Sequence, residues 1–147
     1  MAAVQTNEQG HPEAIKLKVV DGFRSKTIGS LAKKAFLPGS TVIPDGLPCF
    51  NAVVDAGCFH DPIVCGGGRA SVEEPEFFWV NTVLGNLKTA LRSTYHSISP
   101  KHTKRYLAEF QYRFNRRYDL RGMLDRLVWV SLKTPSMPER LLRKAYV

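Results

Sequence analysis

Three side chains in this sequence have types and positions suited to phosphate chemistry: Asp45, Asn81 and Lys88. Asn81 and Lys88 lie seven residues apart. That is two helical turns, so on a continuous helix both leave the same face within ~20° of each other. An amide oxygen can serve a hard cation such as Mg²⁺ in place of a carboxylate, with weaker charge compensation. A lysine on the same face can grip a phosphate as a point charge. Asp45 stands in Thr41-Val42-Ile43-Pro44-Asp45-Gly46, where a short apolar strand runs out. Ligands of α/β sheets bind beyond the carboxyl ends of strands, because the helices leave that edge uncovered. Each residue also has a plainer role: Asp-Gly is a common turn pair, Asn is a frequent helix cap, and a helix lysine is often only solvated. Their combination points to a metal and phosphate site.

The charge balance supports a polyanionic partner. The 147 residues carry 21 Lys and Arg against 13 Asp and Glu, a net charge of +8. From Lys88 to Arg121 the cations are Lys88, Arg92, Lys101, Lys104, Arg105, Arg113, Arg116, Arg117 and Arg121, and the only anions are Glu109 and Asp119. Such a stripe suits the phosphates of duplex DNA, giving affinity with little sequence readout. Tyr106, Phe110 and Phe114 recur within it at helical spacing, which reads as a core-facing side rather than a platform for bases.

A hydrophobic content of 44% is enough for one sizeable core. Cys49, Cys58 and Cys65 are an odd number with no signal peptide, so a disulfide framework is not expected and a reducing, cytoplasmic setting is. Cys58, His60 and Cys65 lack the close spacing of a zinc knuckle and read as small thiols in a strand and a helix. No apolar run approaches the ~20 residues that span a bilayer.

The elements that must position these side chains follow from periodicity. Residues 2–4 end a strand, Thr6 to Pro12 is a polar turn, and residues 14–20 alternate as a second strand, making a hairpin with one wet face. Thr27 is positioned to cap a helix with Ile28, Leu31, Ala32, Ala35 and Phe36 inside, stopped by Pro38-Gly39. A short strand at 41–43, a helix over 48–56 ended by Gly57, and a strand at 59–64 come next. Residues 66–75 read as a glycine-rich loop. Helices are then expected over 78–97, 102–115 and 120–131, the last with Met123, Leu124, Leu127 and Val128 inside. Residues 1–131 form the expected domain and 132–147 a loosely held basic tail.

At this point the residues resemble a known family. The string Trp79-Val80-Asn81-Thr82-Val83-Leu84-Gly85-Asn86-Leu87-Lys88, with Thr94-Tyr95-His96, Tyr106-Leu107-Ala108-Glu109-Phe110 and Arg113-Phe114-Asn115-Arg116-Arg117, resembles the C-terminal part of bacterial insertion-sequence transposases. The branch is the one with Asp, Asp, Asn and Lys as its motif. Residues 39–46 resemble that family's second Asp motif, and the likeness spans about Ala3 to Leu120.

The resemblance implies an α/β, ribonuclease-H-like fold: a mixed sheet with helices packed on it and a C-terminal helical run. It implies two Mg²⁺ ions, cleavage at transposon ends, and joining of the freed 3′ hydroxyl to target DNA. Asp45 would be a metal carboxylate, Asn81 would stand where most relatives carry Glu, and Lys88 would contact DNA. Two ions would stabilise the attacking and leaving oxygens of an in-line displacement.

One departure counts against a complete site. The family's first catalytic Asp belongs to a strand before residues 2–5, and a zinc-binding DNA-recognition region comes earlier still. Neither is found in these residues. Asp21 ends the second strand and is in the wrong place in the strand order to substitute. The expectation is an incomplete fold lacking its first strand, with neighbouring strands left unpaired, one metal ion at most, and no activity alone. The alternative is a non-enzymatic DNA-binding or regulatory remnant that occupies transposon DNA or pairs with intact transposase or with itself. An RNA-binding role rests on charge alone.

Overall fold

The computed structural model describes residues 1–66, 68–96 and 98–144. It is a mixed α/β chain. In order come strands β1 (Ala2–Thr6) and β2 (Pro12–Leu17), helix α1 (Ser25–Ala35), strand β3 (Thr41–Val42), a 3₁₀ helix (Pro48–Ala56) and strand β4 (Phe59–His60). Helices α2 (Arg69–Glu73), α3 (Phe78–Ser93), α4 (Thr103–Asn115), α5 (Leu120–Lys133) and α6 (Glu139–Lys144) follow. The chain divides into two compact units: Met1 with Val19–Gly85, and Ala2–Lys18 with the chain from Asn86 onward. No helix among the described residues is long and apolar enough to cross a membrane.

The first unit is built on α1 lying against the 3₁₀ helix. Ile28, Ala32, Cys49, Val53 and Cys58 form its buried cluster, with Phe36, Val42 and Phe50 packed around it. The two helices meet at Gly29, where a Cβ would stand 3.4 Å from the Cβ and carbonyl oxygen of Ala52. Gly57 ends the 3₁₀ helix in the left-handed conformation, φ 74°, as its position after Ala56 suggests. Helix α1 starts two residues before the expected cap: Arg24 holds the N-cap position and its carbonyl takes the first helical bond from Ile28 N at 3.0 Å. Thr27 is thus inside the first turn and not at the cap.

Strands β3 and β4 pair in parallel, Thr41 opposite Phe59 and Val42 opposite His60. Phe59, Asp61 and Ile63 donate in turn to the carbonyls of Ser40, Val42 and Pro44. The return rung from position 44 to Asp61 cannot form because Pro44 has no N–H, which cuts the ladder to two paired residues.

In the second unit β1 and β2 form the expected antiparallel hairpin, Val4 opposite Ile15 and Ala2 opposite Leu17. Asn7 organises its turn by accepting from Gln9 N and His11 N through Oδ1 at 3.0 and 2.9 Å. Helix α4 completes the outer edge of β2. Asn115 accepts from Ile15 N at 2.7 Å and donates to Ile15 O at 3.1 Å, and Gln111 accepts from Leu17 N at 2.8 Å. These two amides are four residues apart on one helix face, matching alternate residues of an extended strand.

Five further sequence expectations need correction. The single mixed sheet is instead two separate two-stranded sheets among the described residues. The loop over 66–75 contains helix α2, one turn closed by an Arg69–Glu73 pair at 2.6 Å; Gly67 of that loop lies outside the described residues. The third helix stops at Ser93, and Ser97, its expected end, is also outside them. Finally, the apolar side of α5 is not inside: Leu124, Leu127 and Val128 are 63%, 48% and 52% exposed. Periodicity reveals that a helix has an apolar side, but carries no information on what covers it. The expected tail is partly helical, with Lys101 and Arg105 donating to the carbonyls of Arg143 and Leu142 in α6 at 2.8 and 3.1 Å; residues 145–147 lie outside the described chain.

Candidate functional site

Asp45 is exposed in the turn that follows β3. Its Oδ1 accepts from Leu47 N at 3.4 Å, an Asx turn that holds the carboxylate at the carboxyl end of the strand. Gly46 next to it has φ 81°, and a Cβ there would meet Val64 Cγ2 at 2.7 Å, so the turn admits only glycine. The common turn reading of Asp-Gly is therefore correct in structure, and it leaves the second carboxylate oxygen of Asp45 without a bond among the described residues.

The surroundings of Asp45 are acidic. The half-buried Cys65 thiol is pushed up from its ordinary pKa, first by burial and then by the charges of Glu74, Asp45 and Glu76. The three carboxylates thus each act on the Cys65 thiol. Glu74 is also raised, first by a hydrogen bond with Glu76, then by burial and by repulsion from the same neighbour. Two carboxyls in such contact hold a shared proton more readily than either alone. No three His, Cys, Asp or Glu side chains among the described residues converge as a metal-ion site. Cys58 is likewise turned into the core, its thiol donating to Leu37 O at 3.6 Å.

Asn81 lies in the first turn of α3, half-buried, and its Nδ2 donates to Ser71 O of α2 at 3.3 Å. It thus ties α2 to α3, and its carbonyl oxygen is left to accept from elsewhere. Asp45 and Asn81 are not bonded to each other. Helix α3 is continuous from Phe78 to Ser93, so the seven-residue spacing to Lys88 is two helical turns as expected. Lys88 is exposed and falls in the second unit.

The basic stripe divides into engaged and unengaged cations. Arg117 donates to the carbonyls of Pro12, Glu13 and Phe114. Its guanidinium also lies 4.1 Å from the Phe114 ring centroid and 4.4 Å from that of Tyr118. Arg116 stacks over Tyr112 at 4.8 Å, and Arg113 pairs with Glu109 at 2.6 Å. Lys101 and Arg105 hold α6 as described. Lys88, Arg92 and Lys104 are exposed and have no such partner in the described chain. Tyr106, Phe110 and Phe114 are half-buried, Tyr106 resting 4.6 Å from Tyr95 between ring centroids.

Sequence reasoning missed Glu74 and Glu76. The available signal was the acidic run Glu73-Glu74-Pro75-Glu76 just ahead of the helix that carries Asn81. Residues 1–115 match the family whose description is the ISXO2-like transposase domain. No curated protein and no solved structure matches the chain.

Proposed function

Because this chain belongs to the ISXO2-like transposase domain family, insertion-sequence transposases of the DDE type, we propose that its role in DNA transposition is to supply the later part of a catalytic domain. The match over residues 1–115, which contains Asp45, Asn81 and Lys88, is the observation that carries this reading. In it, Asp45 is the carboxylate at the strand end, Asn81 the amide ligand, and Lys88 with Arg92 and Lys104 the contacts to duplex DNA.

A ribonuclease-H-like fold is the architecture this reading expects. Such a fold contains both kinds of pairing found here, an antiparallel pair, β1 with β2, and a parallel pair, β3 with β4. The domain is accordingly taken as residues 1–131, with 132–147 as a C-terminal basic extension.

The residues in hand do not fit a pair of Mg²⁺ ions. Two-ion chemistry needs bridging carboxylates, and the described residues gather no three candidate metal ligands. Asp45 and Asn81 offer oxygen donors suited to one hard cation at most. The chain by itself therefore binds transposon ends and target DNA without joining them.

A strand-transfer assay tests this, using these 147 residues, DNA with insertion-sequence ends, and Mg²⁺ or Mn²⁺. No joined product is expected. Supplying an upstream Asp-bearing strand in the same chain should restore joining, and Asp45→Asn should abolish it again. Joined product from the unextended chain, lost in Asp45→Asn, would overturn the proposal. A purely regulatory DNA-binding role is favoured instead if DNA binding is retained and the added strand brings no joining.

A further inference from the structure

Tyr106, Phe110, Phe114 and Tyr118 follow one another at four-residue spacing. The first three are half-buried on α4. That helix ends at Asn115, so the fourth ring leaves the packed side, and Tyr118 is 88% exposed. It is nevertheless held in place. Next to it, Asp119 N donates to Arg116 O at 2.9 Å and Asp119 Oδ1 accepts from Gly122 N at 2.9 Å, which fixes the backbone between α4 and α5. The Arg117 guanidinium lies over the Tyr118 ring, 4.4 Å from its centroid, and is itself bound to the carbonyls of Pro12, Glu13 and Phe114. One face of the ring thus rests on an anchored cation, and the exposure of the residue leaves the other face open.

Tyr118 lines a hollow of about 560 Å³ together with Asn7, His11, Pro12 and Glu13 of the β1–β2 hairpin, all within one compact unit. Sites for small ligands span roughly 300–1,000 Å³. The chemistry of the walls selects the occupant. A flat aromatic face offers stacking to any nucleobase. Asn7 uses its oxygen in the turn and retains its amide N–H groups, while the His11 imidazole and the Glu13 carboxylate add further groups that can bond the edge of a base. Glu13 also repels phosphate, so a base enters and its phosphates stay outside, with the nearby cations of the stripe. Bases inside a duplex are stacked on one another and present no free face.

We propose that Tyr118 is a stacking platform for an unpaired nucleobase, and that the hollow beside it takes a single-stranded stretch of DNA. The proposal rests on the DNA-binding role given above and deepens it: the exposed cations hold the phosphates of any duplex, whereas Tyr118 singles out a strand whose bases have come apart.

Fluorescence anisotropy tests this with two labelled duplexes. One carries a short single-stranded extension, and the other carries the same extension with its bases removed, so both have equal charge. The wild type should bind the base-bearing DNA roughly tenfold more tightly. Tyr118→Ala and Tyr118→Leu should remove that preference without changing the slope of log affinity against log salt, because stacking releases no counterions. Tyr118→Phe should keep it. Iododeoxyuridine placed in the extension and irradiated should crosslink to Tyr118, and circular dichroism checks that each variant is folded. The proposal is overturned if the wild type binds both DNAs equally, if folded Tyr118→Ala keeps the preference, or if the crosslink maps to other residues. Equal binding would leave the duplex-binding role standing, whereas binding to neither DNA would overturn both.

Discussion

Helices α3 and α4 both contribute cations to the basic stripe, yet they use them differently. At the end of α4, Arg117 is held by three carbonyls and two aromatic rings, and Arg113 is taken by Glu109. On α3, Lys88 and Arg92 are exposed and unengaged among the described residues. The same residue types thus do two jobs: one set fastens the fold, the other is available to phosphates. Net charge in a sequence measures attraction to DNA but not which cations can deliver it.

The largest effect should come from Arg117. Arg117→Ala removes three charge-assisted bonds and two ring contacts, and is expected to lower stability by about 2–3 kcal/mol, read as a shift in the urea midpoint. Lys88→Ala and Arg92→Ala should leave that midpoint unchanged within about 0.5 kcal/mol. Equal losses from both helices would erase the distinction drawn between them.

DNA binding sharpens the comparison from the other side. The double variant Lys88→Ala/Arg92→Ala should reduce duplex affinity similarly across sequences and flatten the slope of log affinity against log salt by about 2. Lys104→Ala should take away about 1 more. A slope unchanged by all three substitutions would mean these side chains are only a solvated face.

The smallest effect lies in the acidic neighbourhood of Asp45. Because burial and the charges of Glu74, Asp45 and Glu76 raise the Cys65 pKa, less thiolate is present at mildly alkaline pH and alkylation should be slow. Asp45→Asn and Glu74→Gln each remove a negative charge, lower that pKa, and should speed iodoacetamide labelling of Cys65 near pH 8. Labelling that does not respond to either change would separate Asp45 from the Glu74–Glu76 pair and weaken the candidate site.

What was legible in the sequence was local. Gly57 ending a helix, Pro48 opening one, the Asp45-Gly46 turn and the β1–β2 hairpin all depend on backbone preferences carried by the residues themselves. What escaped was pairing at a distance. The bonds of Asn115 and Gln111 to β2 span 100 and 94 residues, and nothing in either segment names the other. The engagement of Arg117 escaped for the same reason, since its carbonyl partners Pro12 and Glu13 are 105 and 104 residues away. The bare side of α5 has the periodicity of a buried helix, and only the surrounding chain decides between the two.

The amides of Asn115 and Gln111 also give the small β1–β2 sheet a direction of growth. A strand edge with unspent N–H and C=O groups is a template for any passing extended segment, including the misaligned ones that begin aggregation. Here the β2 margin is occupied by side chains of α4, which can satisfy alternate backbone groups but cannot be extended by a further strand. Among the described residues, the edge left without a neighbouring strand is that of β1. The hairpin is therefore closed to indiscriminate stacking along β2, and any growth is directed to its other margin.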